Sequence, residues 1–406
     1  MGFKQLKLGE ICTVITDGSH SSPKAAQNGY PMLSVKDMRA FDFNYKDAKI
    51  ISVEDYEKLV RNGCKPLVDD VLIAKDGNSC LEYCFVFREP KEVVLLSSIA
   101  ILRPNKEIVN PFYLMYYLGM KSTIEELRQG YLSGSAIPRV VLKDFRLYPV
   151  QLPSLELQNK IVSFINAINQ KIESNEIIIS NAEQLAQTLF KRWFVDFEFP
   201  NENGEPYKSS GGEMVESELG LIPIGFDIKV LSDCCELRYG KALTKKNRIA
   251  GSYPVYGSGG ITGTHNEYLV EGPGLILGRK GSIGTLYLEP RSFYPIDTVF
   301  YIESENYSTL FLYTLFSQLD FTKSNNDSAV PGLNRNTVYQ TRLAIPNYEL
   351  VNKFSEIIAP LFEEIFLLEN ENKVLGDLRD TLLPKLLSGE IELPDETEVI
   401  ENVPVS

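Results

Sequence analysis

The sequence predicts an α+β protein of 406 residues, with two globular mixed α/β domains joined and spaced by two long antiparallel coiled-coil helices in a pseudo-two-fold internal repeat. Three observations carry this. Ser135-Ala136-Ile137-Pro138 returns as Ser328-Ala329-Val330-Pro331, and the same offset of 193 maps Leu152-Pro153 onto Ile345-Pro346, Lys160 onto Lys353 and Thr188-Leu189 onto Thr381-Leu382. A constant offset over roughly 55 residues is a duplication. Both repeated segments carry apolar residues at a sustained 4-3 spacing, which marks a coiled-coil seam. The remaining regions hold short apolar runs bounded by Gly-rich turns, which suits buried strands.

In chain order, residues 1–150 form the first globular block. Its run Asp70-Val71-Leu72-Ile73-Ala74 reads as a buried strand, and residues 110–120 as a buried helix with Pro111 at its first position. Residues 151–199 form the central spacer helix, with seam residues Ile161, Ile165, Ile168, Ile172, Asn175, Ile179, Ala182, Ala186, Leu189 and Trp193. Residues 200–227 are polar and Gly/Pro-rich and read as a linker. Residues 228–345 form the second block, with a strand at 274–277 and a helix at 308–319; Lys7 to Cys12 aligns loosely with Val230 to Cys235 at an offset of 223. Residues 346–391 form the C-terminal spacer helix, with seam residues Phe354, Ile358, Leu361, Ile365, Leu368, Asn372, Leu375, Arg379, Leu382 and Leu386. Pro153 and Pro346 stand just ahead of the two helix starts. Pro360 and Pro384 each remove a helical hydrogen bond, so the second helix is expected to kink or end locally there. Gly389 is a C-terminal stop, and residues 392–406 are a loose acidic tail.

The formal charge of −13 argues against nucleic acid until it is divided along the chain. Residues 1–150 net +2, 151–227 net −7, 228–345 net +2 and 346–406 net −10. The acidity lies in the helical segments and their flanks, so each globular block is free to carry a basic face while the helices avoid phosphate. With 44% hydrophobic and 23% charged residues the chain is ordinary globular. Six Cys without a CxxC pair and only two His make a zinc site or a disulfide framework improbable. There is no apolar leader near the start and no run approaching 18 apolar residues, so the expectation is a soluble, cytoplasmic protein without a membrane span.

Catalytic signatures fail one by one. Residues 257–263 look like a dinucleotide loop but lack Gly at 262 and a following helix period. Gly240-Lys241-Ala242 has neither the spacing nor the hydroxyl of a phosphate loop, and Asn110-Pro111-Phe112-Tyr113 departs from the Asn/Asp-Pro-Pro-Tyr of amino-methyltransferases. His20 and His265 lack any nucleophile and orienting group that would make a catalytic set. No active site is expected, no metal site, and no cofactor held by this chain.

What remains is a set of Gly-rich, basic and polar loops at matching places in the two blocks. Block two has Tyr239, Lys241 and Lys245 in one loop, Arg279, Lys280 and Ser282 in Gly278-Arg279-Lys280-Gly281-Ser282-Ile283-Gly284, and Asn334 with Arg335 in a third. Block one has Ser19, His20 and Lys24, then Lys75, Asp76 and Asn78, then Arg139. Arg and Lys beside Gly suit close approach to a polyanion, with guanidinium and amide groups able to read base edges. Tight turns with solvated basic residues would look the same.

Taken whole, the chain resembles the DNA specificity (S) subunits of type I restriction–modification enzymes over residues 3–394. The resemblance rests on Gly278 to Gly284, Ser135 to Pro138, Leu152-Pro153 with Gln158-Asn159-Lys160-Ile161, Leu189 to Phe197, and Leu382 to Glu390. It implies two target-recognition domains, each reading one half of a split site in double-stranded DNA. It also implies helices that set the spacer and dock two methyltransferase (M) subunits, with restriction (R) subunits joining for phage defence. S-adenosylmethionine, ATP and Mg would then belong to the partner subunits, and the specificity subunit would carry no chemistry. Block one departs from the family's Arg-Lys-Gly-x-x-Gly, having Lys75-Asp76-Gly77-Asn78-Ser79-Cys80. Asp76 puts a simple phosphate role there in doubt, though Asp can accept from cytosine. A coiled-coil scaffold that binds only proteins is the alternative.

A pseudo-two-fold axis requires the helices to run antiparallel. End-to-end matching of the seams pairs positions whose numbers total 547, which sets Asn175 against Asn372. Such a pair is satisfied in one register only; two independently tolerated polar positions are the other reading, since Arg379 also lies in the seam. A fixed register makes the helices a ruler. One heptad inserted in the first helix adds about 10 Å at 1.5 Å per residue, or roughly three base pairs of unread spacer. The small net charge of each block further implies weak DNA binding without M subunits.

Overall fold

The computed structural model describes residues 2–133, 138–321 and 332–393. The chain divides into two compact units, Met1–Ile172 with Lys373–Ser406, and Glu173–Asn372.

In the first unit the strands Cys12–Asp17, Ile99–Pro104, Val71–Ala74 and Cys84–Val86 form an antiparallel sheet in that order. Val71 to Ala74 are all buried, as an apolar run without alternation requires of a central strand. A second sheet orders Lys49–Ile51, Tyr30–Leu33 and Val94–Leu95. The helix Pro111–Gly119 covers the first sheet, with Asn110 accepting from the amides of Phe112 and Tyr113 as its N-cap. The strand Lys4–Lys7 closes on Pro149–Leu152, with Lys4 opposite Leu152.

The second unit repeats this plan. Glu236–Tyr239, Val299–Glu303, Gly274–Gly278 and Leu286–Glu289 form the four-stranded sheet, and Gly260–His265, Tyr253–Gly257 and Tyr294–Pro295 the three-stranded one. The helix Thr309–Ser317 is capped by Ser308, and Asp227–Val230 closes on Arg342–Ile345 with Asp227 opposite Ile345. Lys4 and Asp227 stand 223 apart, and Leu152 and Ile345 stand 193 apart, the two offsets of the repeat. Residues 257–263 are a β-hairpin around Ser258-Gly259.

The first long helix, Leu155–Phe190, continues into a π-helical turn, Lys191–Val195; the second long helix is Tyr348–Ser388. Every seam position named above is buried or half-buried. The pairing is antiparallel within each unit: Asn175 donates to Asn372 at 2.8 Å and the rings of Trp193 and Phe354 lie 5.6 Å apart in the second, while Ile161, Ile165, Leu386 and Leu387 share the first unit's core. Because both helices contribute to both units, a heptad inserted in the first helix alone would break this register, and a ruler needs matched insertions in both.

Two expectations are corrected. The second long helix runs uninterrupted through Pro360 and Pro384. Both prolines are exposed, so the carbonyls they leave unpaired face water rather than the seam. The segment 200–227 is folded rather than a bare linker: Met214–Ser217 pairs with Gly220–Pro223, and Phe199 stacks on Tyr207 at 4.6 Å and on Phe226 at 5.6 Å. Gly389, at φ 75°, takes the left-handed conformation that ends a helix. Ser135, Ala136 and Ile137, residues 328–331 and the tail beyond Leu393 lie outside the described residues. Among the described residues no helix is long and apolar enough to cross a membrane.

In the second unit partial burial holds the carboxyl of half-buried Glu183 above its ordinary value of 4.5. A raised folded-state value means that the stability linked to this group is fully present below pH 4.5 and is lost as pH rises through the raised value. Glu183→Gln is therefore expected to raise the melting temperature of the second unit at pH 7.5 and to leave it unchanged at pH 4. Scanning calorimetry at the two pH values checks this, and an equal shift at both would contradict it.

Candidate nucleic-acid interface

Two loop clusters occupy equivalent places, one in each unit, and their geometry follows from the repeated sheet. In the first, strand Cys12–Asp17 ends at Asp17-Gly18, and in the second, strand Glu236–Tyr239 ends at Tyr239-Gly240. Both glycines are forced by close backbone approach. A Cβ on Gly18 would lie 2.1 Å from the Leu95 carbonyl, and one on Gly240 would lie 2.2 Å from that of Ile296. Next to these strand ends, Lys75 follows the strand Val71–Ala74 and Arg279 follows Gly274–Gly278. The Lys75 amide donates to the Ser98 carbonyl at 2.8 Å, and that of Arg279 to Thr298 at 3.0 Å. A third segment closes each cluster, the strand Arg139–Val140 in the first and an isolated bridge at Gly332 in the second: Val140 donates to the Lys75 carbonyl and Leu333 to that of Arg279, both at 2.9 Å. Val140 and Leu333 stand 193 apart, so the clusters are repeat-related.

Their chemistry differs. In the second unit the guanidinium carbons of Arg279 and Arg335 each lie 5.1 Å from the Tyr239 ring centroid. Arg279 also lies 5.7 Å from Phe300 and donates to the Asp297 carbonyl at 2.5 Å, while its buried Nε has no partner. Among the described residues neither arginine meets a carboxylate, so an aromatic platform holds two uncompensated cations. Asn334 caps the helix Arg335–Tyr339 and thereby aims Arg335 at the platform. Lys280 bridges to Gly332 through its backbone, leaving its side chain exposed, and Ser282, Lys241 and Lys245 are exposed as well. Gly281 and Gly284, at φ 79° and 76°, turn the loop between them.

In the first unit the Lys and Arg at the same place are each paired with a carboxylate. Lys75 is buried, with its ammonium 2.6 Å from Asp17, and Asp17 also receives His20 at 3.3 Å. Arg139 donates to Asp76 at 3.1 Å. Ser19, expected at the surface, is buried and bonded within its own turn to Ser21 at 2.7 Å; Lys75, expected to reach outward, is likewise withdrawn. Lys24 and Asn78 are exposed. Thus the structure gathers His20, Lys75, Asp76 and Arg139 around Asp17 in one unit, and Tyr239, Arg279 and Arg335 in the other. Asp17 was missed by sequence reasoning. The signal that could have found it is the X-Gly step after the first strand of each block, which aligns Asp17-Gly18 with Tyr239-Gly240.

Burial pushes the Cys80 and Cys234 thiols up to about 11 and those of Cys12, Cys84 and Cys235 to about 12, so these thiols are protonated at neutral pH. Among the described residues no group of three or more His, Cys, Asp or Glu side chains is placed to hold a metal ion.

Comparison with known proteins bears on these clusters. The family described as the type I restriction modification DNA specificity domain matches residues 1–184 and 223–375. The specificity subunit of the type I restriction enzyme HindI of Haemophilus influenzae is 26% identical over 471 residues, spanning 96% of this chain and 99% of that protein. The specificity subunit of MjaIX of Methanocaldococcus jannaschii is 22% identical over 431 residues, spanning 97% and 94%. The crystal structure of a type I restriction-modification S subunit from M. genitalium aligns over 97% of both chains with a TM-score of 0.61 at 16% identity, a likeness of fold.

Proposed function

The chain belongs to the type I restriction modification DNA specificity family, and from that premise we propose that its two globular domains each read one half of a bipartite site in double-stranded DNA. The long helices set the spacer and dock two methyltransferase subunits, and restriction subunits complete the cytoplasmic complex. The chain itself contributes no reaction chemistry; S-adenosylmethionine, ATP and Mg are held by the partners. The observation that supports this reading best is the pair of repeat-related loop clusters with unlike chemistry, Tyr239 with Arg279 and Arg335 in one and Asp17 with Lys75, Asp76 and Arg139 in the other. Two equivalent sites with different donor and acceptor sets suit two different half-sites. Arg279, Arg335 and Lys280 supply donors suited to guanine edges and phosphate, and exposed Lys241 and Lys245 extend that basic surface. Asp76, beside Arg139, offers an acceptor of the kind cytosine presents a donor to.

The test is exchange of residues 1–150 for the first domain of another specificity subunit, followed by mapping of methylated positions in host DNA. One half of the methylated motif is expected to change while the other half stays. A change in both halves would overturn the assignment of one half-site to each domain. Loss of all site-specific methylation by a folded, M-bound chain, with no salt-dependent DNA shift, would favour the protein-only scaffold.

A further inference from the structure

Polar side chains meet across the seam between the long helices in both units. In the second, fully buried Asn175 donates through Nδ2 to Asn372 Oδ1 at 2.8 Å and to Glu371 Oε2 at 2.7 Å. In the first, Arg379 donates to Asn169 Oδ1 at 3.0 Å; Asn169 Nδ2 donates to the Tyr116 hydroxyl at 3.0 Å, and that hydroxyl donates to Asn166 at 2.7 Å.

The repeat assigns each of these residues a counterpart 193 positions away. Asn175 corresponds to Leu368, Asn372 to Ile179, Asn169 to Phe362 and Arg379 to Ala186. All four counterparts are apolar, and Ala186 and Phe362 lie in the second unit's core. Each polar residue therefore has a polar partner across the seam and an apolar residue at the related place. That arrangement separates two kinds of pairing which a plain duplication would leave equivalent.

We infer that these positions are a pairing code by which each long helix accepts the other long helix of the chain and rejects a second copy of itself. In the native register a first helix against another first helix would set Asn175 against Ile179 and Asn169 against Ala186. A second helix against its own copy would set Asn372 against Leu368 and Arg379 against Phe362. A pair of first helices strips both copies of fully buried Asn175 of Asn372 and Glu371, and a pair of second helices leaves both copies of half-buried Asn372 against Leu368, whereas Asn169 keeps Tyr116 and Arg379 keeps Asp380. An amide left unpaired in the seam is strongly disfavoured. Slipping does not relieve this. The seam repeats every seven residues, whereas bringing Asn175 or Asn372 against its own copy needs a slip of four. The partner that fits either seam is thus the opposite half of the repeat, so every assembled molecule presents two unlike domains. The inference is independent of what those domains bind.

The test cuts the full chain at a protease site introduced in the exposed turn 202–205, so that two fragments remain held by the seam. Isotope-labelled and unlabelled nicked molecules are mixed until the label has fully exchanged, and native mass spectrometry counts the pairings. Unbiased pairing would put half of the molecules in homotypic pairs. The unsubstituted protein is expected to hold fewer than about one in a hundred. Two variants erase the code in opposite ways: Asn175→Leu with Asn372→Ile makes this layer apolar throughout, and Ile179→Asn with Leu368→Asn makes it polar throughout. The second keeps the native Asn pair, which guards against simple misfolding. Both are expected to raise homotypic pairs at least about tenfold. Abundant homotypic pairs in the unsubstituted protein, or no rise in either variant, would overturn the inference.

Discussion

Phe354→Ala is expected to destabilise the second unit by about 3–5 kcal/mol, the cost of deleting a buried aromatic side chain from a packed core. Phe354 is fully buried at the start of the second long helix, and its ring meets Phe190 at 5.8 Å, Trp193 at 5.6 Å, Phe194 at 5.0 Å and Phe311 at 6.4 Å. The cluster thus joins the end of one long helix, the start of the other and the sheet-covering helix Thr309–Ser317. Rings of this size cannot collapse into the space that the substitution leaves, so the loss falls near the top of the range. The repeat counterpart, Ile161, packs in the first unit's core, and that unit should keep its stability. Chemical denaturation followed by hydrogen exchange separates the two. A loss below about 1 kcal/mol, or one shared equally by both units, would show that the cluster does not carry the second unit's packing.

Arg279→Ala is expected to weaken recognition of the half-site read by the second domain by about 1–3 kcal/mol, if its contact is bidentate to guanine. That is roughly ten- to a hundredfold in affinity. Tyr239→Ala should do nearly as much without removing any charge, because both Arg279 and Arg335 lose the ring that orients them. Tyr239→Phe keeps the ring face and should restore most of the recognition. Binding of the M-loaded complex to DNAs altered in one half-site at a time reads the effect. Base recognition predicts a loss confined to one half-site. Equal weakening on every sequence with a shallower salt slope would instead make Arg279 a phosphate contact. Failure of Tyr239→Phe to restore binding would shift the role of Tyr239 from the ring to its hydroxyl.

The sequence alone determined the duplication, the two long helices and their seam. These are periodic or local signals: a 4-3 spacing places Ile161 and Leu386 inward whatever surrounds them, and an offset of 193 survives wherever a fold is copied. The same local chemistry marked Asn110 and Ser308 as the starts of the two sheet-covering helices. Only the tertiary structure decided what the loops hold. Lys75 stands 58 residues from Asp17, and Arg335 stands 96 from Tyr239. Neither partnership has a period or a spacing rule, because sheet order rather than chain order brings the strand ends together. That is why a lysine read as outward-reaching is buried against a carboxylate, while a tyrosine read as one residue of a basic run carries two arginines. Pro360 and Pro384 teach the same lesson within a helix. The sequence counts the hydrogen bonds they remove, but only packing puts both on the watered face, where the seam opposite keeps the helix whole.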